Sequence, residues 1–427
     1  MKLIKVINFE HDGFLHHLEQ PKTGSTKSSG LLIKGWVLSY IPHDFIVKVD
    51  DSEINNLSYN ETRNDVLKHF NITDSQNKSY GFNHECEFVD SLSIGVICSG
   101  VIKWLYLIKI ETSIKTEPKV IRGKNNYLFL DNDSNKSVDQ YIGKYLIHDS
   151  LFDKWQLYFD LVVSRSTNNI MLVVPNKEEL FPDFYPFKRS NNTLIDRFLQ
   201  KFNSYCFYPL QELKQNRELS YMKTDTHWTD YGAFICAQNI LKLFGLDAHI
   251  SKLADKFFIK QVHGDLGSKL VHLESSYCLK SSDVFNASFD NSISNRGLIK
   301  IYDNIEAPVN DCLVVFGDSF SFNLVPYLGL IFIRVVYVHT IASTDIELLL
   351  HEKPKYVLYE MNQRFIGVAP ECINNWDFVK LKLSTREKIE LLHLKERMEK
   401  YSGGKFDYYA SHMLAIINDI YENKVIG

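Results

Sequence analysis

Two kinds of hydrophobic pattern divide the chain. From residue 1 to about 115, short apolar runs alternate with polar breaks and show no sustained helical period. The runs 31–38 and 45–49 read as strands, separated by Tyr40-Ile41-Pro42-His43-Asp44. Phe82, Phe88 and the stretch 91–110 continue the pattern. That stretch carries Lys103 and Lys109, so it reads as two β segments around Ser99-Gly100 and not as a membrane span. A short helix near 64–70 is the exception, and 24–30, rich in Ser, Thr and Lys, reads as a loop. These features predict a small antiparallel β-sandwich.

From about 116 the pattern changes. Tyr127-Leu128-Phe129-Leu130 predicts a short strand, 151–163 an amphipathic helix, and 170–174 a buried strand ending at Pro175. Helices are expected at 191–203 and 230–244, the second stopped by Gly245. A β-α-β-α-β stretch follows: strand 313–316, a short helix after Ser319, strand 331–338, helix 345–352 and strand 356–361. Strands alternating with helices imply a parallel sheet covered on both faces, with its site beyond the carboxyl ends of the strands. Ser319, Asn176, Lys177, Asn362 and Arg364 all fall just past strand ends. Ser384-Thr385-Arg386-Glu387 reads as a capping box before a helix to about 401. Gly403-Gly404 breaks that helix, and another is expected over 407–422. The expected layout is a β-rich accessory domain over 1–115, an α/β catalytic domain over 116–380 and a helical extension over 381–427 packed on the catalytic domain.

Composition narrows the picture. The 427 residues exceed what one core usually holds, and 45% hydrophobic with 23% charged residues is an ordinary globular balance. The net charge is −4 and no basic block stands out, which argues against a nucleic-acid partner. Charges interrupt the N-terminal segment before an apolar run reaches signal-peptide length. The seven cysteines are odd in number and form no C-x-x-C pair, so reduced, mostly buried thiols are expected. His84-Glu85-Cys86 is too sparse for zinc, and no metal is expected. The expected setting is the cytoplasm or the periphery of the inner membrane, with no transmembrane segment.

Two motifs carry chemistry. Val314-Val315-Phe316-Gly317-Asp318-Ser319 places a serine at a Gly-Asp turn after an apolar strand, at the start of a helix. Free N–H groups at a helix start can stabilise a developing oxyanion. The bland alternative makes Ser319 a helix N-cap. Thr224-Asp225-Thr226-His227-Trp228-Thr229 supplies an acid and an imidazole two residues apart, which point the same way in an extended segment. Asp225 can then fix the tautomer while His227 takes the serine proton. The bland alternative makes Asp225 or Thr229 a cap, with His227 merely packed nearby. Both motifs in one chain point to acyl transfer or ester hydrolysis.

With these motifs the chain resembles the SGNH/GDSL superfamily, and within it the alginate O-acetyltransferase type, in which Asp-x-His precedes Gly-Asp-Ser. The matching runs are Gly123-Lys124-Asn125-Asn126-Tyr127-Leu128-Phe129-Leu130, the stretch 174–186 beginning Val174-Pro175-Asn176-Lys177, Asp225-Thr226-His227-Trp228-Thr229 and Gly317-Asp318-Ser319-Phe320-Ser321. The resemblance implies an SGNH-type three-layer α/β/α domain with a parallel sheet. It implies Ser319 as nucleophile, His227 as base, Asp225 as orienting acid, and an acetyl group moved to or from a glycan hydroxyl. The Ser319 N–H is one candidate oxyanion donor; Asn176, Asn323 and Asn362 are others, each also readable as a turn or cap residue. Arg364 and Lys177 could bind an anionic sugar or a cofactor phosphate, or form surface ion pairs. The resemblance and the expected setting together point to acetyl-CoA as donor and a bacterial surface polysaccharide, capsular or O-antigen in type, or its oligosaccharide precursor as acceptor. A carbohydrate O-acetyl esterase would use the same triad, and a non-catalytic glycan-binding protein is a third reading. Trp36, Tyr40 and Trp104 could stack on sugar, or be core. Nothing in the sequence sets the sugar, the hydroxyl acetylated or the oligomeric state.

Overall fold

The computed structural model describes residues 2–8, 11, 13–21, 24–26, 31–39, 41–49, 54–70, 80–86, 91–112, 120–145, 147, 150–270, 273–386 and 388–425. The chain divides into two units, Met1–Thr116 and Glu117–Gly427.

In the first unit the described strands form two antiparallel sheets. One runs in the order Gly24–Thr26, Lys2–Asn8, Val101–Thr112, Ser91–Cys98, Asp44–Val49, Ile54–Leu57; the other is Leu15–Gln20, Leu31–Leu38, Gly81–Cys86. Strand periodicity explains the packing. Along Leu31–Leu38, Leu31, Ile33 and Val37 are buried while Leu32 is exposed. They meet Phe45, Val47, Ile94 and Val96 from the larger sheet, and the Phe45 and Phe82 rings stack 4.6 Å apart. Ser99 (φ 50°) and Gly100 (φ 78°) make the tight turn between 91–98 and 101–112, the left-handed pair that a two-residue hairpin requires. Gly24–Thr26, expected in a loop, is instead an edge strand, with Ser25 opposite Leu3. A tertiary neighbour supplies pairing that local composition does not announce; residues 27–30 lie outside the described residues. Trp36 is half-buried against Phe70 and a small cluster with Leu67, and Trp104 is half-buried. Tyr40 and Phe88 lie outside the described residues.

In the second unit, seven described strands form the main sheet: β1 (Asn169–Val174), β2 (Cys206–Phe207), β3 (Phe289–Asp290), β4 (Ile299–Asp303), β5 (Val309–Gly317), β6 (Phe332–His339) and β7 (Tyr356–Asn362). Their order is β2-β1-β7-β5-β6-β4-β3. The pairings from β2 through β6 are parallel, while β4 joins β6, and β3 joins β4, antiparallel. The sequence reading did not foresee that antiparallel edge. The helices are α1 (Ser150–Leu161), α2 (Leu194–Phe202), α3 (Asp230–Leu243), α4 (Ser321–Leu328), α5 (Ile346–Glu352), α6 (Asn375–Ser384), α7 (Lys388–Glu399) and α8 (Asp407–Val425), alongside several shorter ones.

Alternation along each strand feeds two cores. Met171, Val173, Val314, Phe316, Val336 and Tyr359 join Trp155 and Phe159 of α1, Phe198 of α2, Leu348 of α5, Val379 of α6, Leu391 of α7 and Met413 of α8. Leu172, Val174, Leu313, Val315, Val335 and Leu358 join Ala237 and Ile240 of α3 and Leu324 and Leu328 of α4. Each fully buried large apolar side chain contributes about 1.5–3 kcal/mol. The two-sided burial is why these strands read as nearly continuous apolar runs. Gly245 (φ 70°) follows the end of α3 as expected.

Helix α6 was missed, and with it the role of the supposed capping box. The Ser384 hydroxyl donates to the Leu381 carbonyl (2.8 Å) and Thr385 Oγ1 to the Lys382 carbonyl (2.9 Å), so both hydroxyls serve the end of α6. Glu387 lies outside the described residues. All seven cysteines are free thiols, and the His84 ring bonds the Ser58 carbonyl. Among the described residues no helix is long and apolar enough to cross a membrane.

Candidate active site

The site forms where β1, β5 and β7 end. After Gly317 the chain turns through Asp318 and Ser319 into α4. A side chain at 317 would not fit, since a Cβ there would lie 2.1 Å from Ser321 Oγ and 2.7 Å from Glu360 Oε2. The turn is held on every side. The Asp318 carboxylate accepts the N–H groups of Phe320 (2.8 Å) and Asn362 (2.7 Å). The Asp318 N–H donates to Glu360 Oε2 (2.9 Å), which also accepts the Ser321 hydroxyl (2.6 Å). Ser319 is left half-buried at the bend.

The imidazole arrives from the segment before α3. Thr229 caps that helix by accepting the Gly232 N–H, so the capping role falls to Thr229 and leaves Asp225 and His227 free for each other. His227 Nε2 lies 2.7 Å from Ser319 Oγ, and Nδ1 lies 2.6 Å from Asp225 Oδ1. An ionised carboxylate can only accept, so the imidazole proton belongs on Nδ1, which leaves the Nε2 lone pair facing the serine O–H. Trp228 stitches the two motifs together, its indole N–H donating to the Phe320 carbonyl (3.0 Å).

Asp225 is buried, which by itself would raise its pKa. The hydrogen bond and charge of His227, with N–H donors from His227 and Asp265, outweigh burial and hold it below the ordinary carboxylate range. Asp265 was not foreseen. It sits in the loop between two strands also missed, Phe257–Val262 and Ser276–Ser281. Its N–H donates to Asp225 Oδ2 (2.8 Å), while its carboxylate accepts the Thr226 N–H and hydroxyl (2.7 Å each). Gly264 (φ +71°) makes that approach possible, because a Cβ there would lie 2.3 Å from the Thr224 carbonyl. No local signal in the sequence links 264–265 to 225–226.

Lys177 corrects an expectation. It is a buried group and not a surface cation. Its buried ammonium donates to the backbone carbonyls of Asp225 (2.6 Å), Met222 (3.1 Å) and Lys223 (3.3 Å). Burial pushes its pKa down to about 8, against the attraction of Asp225, Asp265 and Glu178.

Two of the three asparagine amides are also engaged. Asn323 donates its amide to Asp230, which Lys280 also pairs at 2.9 Å. Asn362 donates its amide to the Val174 carbonyl (3.2 Å). Asn176 begins the short helix Lys177–Leu180, and its N–H donates to Gln363 Oε1 (3.2 Å). The amides of Asn323 and Asn362 are thus committed to partners within the protein. The Ser319 N–H, by contrast, has no partner among the described residues.

Arg364 is half-buried over the Phe365 ring (4.9 Å) and has no carboxylate partner among the described residues. It helps line a small recess, partly open to solvent, with Leu130, Asn176, Lys177, Glu178, Thr226 and Asn362. Burial, with Glu179 nearby, pushes Glu178 up to about 7.

Asp225, His227 and Asp265 bring ligand-type atoms within 4.8 Å of one another. Every carboxylate oxygen in that group already accepts a hydrogen bond. A metal would have to displace the contacts that orient His227.

Glu360 is fully buried, with Oε1 unpartnered, and burial beside Asp318 raises its pKa well above the ordinary value. Since its folded pKa lies above its unfolded one, its contribution to stability is full at low pH and is lost as pH rises through the folded value. Glu360→Gln, which mimics the protonated form, should match the wild type near pH 5 and gain on it by pH 8. Glu360→Ala should lose about 2–3 kcal/mol by orphaning the Asp318 N–H. Urea unfolding at the two pH values measures both.

No protein-family model and no curated protein matches the chain. Solved structures similar to it include Bacillus cereus PatB1 (15% identity, TM-score 0.43, covering 58% of this chain and 97% of PatB1). The O-acetyltransferase domain of Pseudomonas putida AlgJ is also similar (15%, 0.37, 62% and 99%), as is a DHHW family protein from Eubacterium siraeum (14%, 0.39, 59% and 96%). Likenesses this slight establish neither family nor activity for this chain.

Proposed function

We propose that this chain is an SGNH-type serine O-acetyltransferase acting on a carbohydrate hydroxyl. One observation carries the reading: His227 stands between Asp225 and Ser319 within hydrogen-bond reach of both. In this reading Ser319 Oγ attacks the carbonyl carbon of the acetyl donor while His227 Nε2 takes its proton. Asp225 stabilises the imidazolium so formed. His227 returns the proton to the departing donor group, and Ser319 holds the acetyl as an ester. His227 then deprotonates the incoming sugar hydroxyl, the tetrahedral intermediate collapses, and the proton returns to Ser319 Oγ.

Acetyl-CoA is the proposed donor and a surface polysaccharide or its precursor the proposed acceptor. Arg364, which has no carboxylate partner among the described residues, is the proposed contact for an anionic part of either. The unit Met1–Thr116 is proposed as an accessory to catalysis.

The test is intact mass spectrometry of the full chain after brief exposure to acetyl-CoA or a chromogenic acetyl ester. The expected result is a gain of one acetyl group, mapped to Ser319 and discharged by a glycan acceptor. Discharge to water alone at the same rate would make the protein an esterase. No adduct on Ser319 from either donor, with the protein folded, would end the proposal.

A further inference from the structure

The carbonyl and the N–H of the peptide between Asp318 and Ser319 have different surroundings. The Asp318 carbonyl accepts the Tyr337 hydroxyl (2.7 Å) and the Ser321 N–H (3.1 Å). The Ser319 N–H at the other end of the same peptide has no partner among the described residues. Tyr337 lies on β6, next to β5, and is fully buried. Its hydroxyl also lies 3.1 Å from Nδ1 of His339, a buried histidine at the end of β6.

These bonds have one consistent direction. A phenol has a single proton, and here it goes to the Asp318 carbonyl. Nδ1 of His339 must then carry a hydrogen and donate it to the Tyr337 oxygen. Burial keeps His339 neutral, with its pKa pushed down to about 4, and keeps the phenol protonated, with its pKa raised well above the ordinary value. The result is a chain from His339 Nδ1–H through Tyr337 O–H to the Asp318 carbonyl. A peptide whose carbonyl accepts a hydrogen bond is polarised, and its N–H becomes a stronger donor.

We propose that Tyr337, backed by His339, is a positioning residue that orients and polarises the Ser319 N–H as an oxyanion donor. The bland alternative is that Tyr337 only fills the core and satisfies a carbonyl. Two features favour the proposal. The carbonyl already has the Ser321 N–H, so satisfaction alone does not demand a tyrosine. The bonded peptide is also the one that bears the nucleophile. The inference rests on the serine-nucleophile reading above.

The test uses the full chain with p-nitrophenyl acetate as substrate and phenylboronic acid as a tetrahedral mimic. Losing an oxyanion donor outright costs about 10²–10³-fold in rate. Loss of polarisation weakens the donor without removing it, so Tyr337→Phe should lower kcat about five- to tenfold and leave KM within about twofold. The inhibition constant of phenylboronic acid should rise by the same factor as kcat falls. Incorporating 3-fluorotyrosine at 337 keeps the shape and makes the hydroxyl a stronger donor, so kcat should rise; this arm answers the question even if Tyr337→Phe folds poorly. An unchanged kcat in both variants, or an effect confined to KM, overturns the inference while an inactive Ser319→Ala keeps the nucleophile reading intact. Turnover in Ser319→Ala would overturn that reading and the inference with it.

Discussion

Turnover of an acetyl ester is expected to fall by about 10⁴-fold or more when Ser319 is replaced by alanine, with the protein still folded. The size follows from the role. The triad works as a unit, so losing the nucleophile removes the covalent path and leaves only binding and the oxyanion site. Preserved folding follows from the contacts. Ser319 Oγ bonds His227, whereas the turn is held by the Asp318 carboxylate, Glu360 and Trp228. Thermal unfolding should therefore shift little, as for most substitutions away from a core or a buried network. Steady-state kinetics beside a melting curve measures both. A folded Ser319→Ala that still turns over would mean the hydroxyl is only a partner for His227.

Lys177→Ala is expected to do the reverse, lowering stability first and activity as a consequence. The Met222 and Asp225 carbonyls would lose the buried ammonium, while the Lys223 carbonyl would keep the Leu128 N–H (3.0 Å). Two orphaned buried acceptors at about 1–3 kcal/mol each predict a loss of about 3 kcal/mol. The segment they belong to carries Asp225, so kcat should drop with stability. The pH dependence separates this role from generic packing. The folded pKa of Lys177, about 8, lies below the ordinary 10.5. Between those values the unfolded chain holds more protons, so the wild type should gain stability as pH rises through that interval. Lys177→Met, which has no such group, should show no such gain. Denaturant midpoints at pH 7, 8.5 and 10 would reveal it, and parallel curves for the two proteins would contradict the buried-ammonium account.

Much of the α/β unit was legible because its signals are local. Apolar-rich runs at 170–174, 313–316, 331–338 and 356–361 match β1, β5, β6 and β7 to within a residue or two at most of their ends, since a strand buried on both faces is apolar at most positions. Gly245, Ser99 and Gly100 marked chain breaks through backbone freedom alone. What failed was contextual. Helix α6 went unread, and Ser384 and Thr385, which marked a helix start in the sequence, also serve its end, because hydroxyls can bond at either end of a helix. Gly24–Thr26 pairs only because Lys2–Asn8 lies alongside.

The candidate site divides the same way. Ser319, His227 and Asp225 could be named from two short motifs, because turn, nucleophile and acid-x-imidazole spacing are local properties of the chain. Lys177 could be located but not understood. Its sequence position fits a surface cation as well as a buried one, and only the fold encloses it among carbonyls. Asp265, Glu360, Tyr337 and His339 carry no motif. They lie near the triad because β6, β7 and the loop at Gly264 converge on the end of β5. Covalent order thus determined which groups could do chemistry, while the folded chain decided which remote donors and acceptors would orient them, since a hydrogen bond depends on distance in space and not on separation along the sequence.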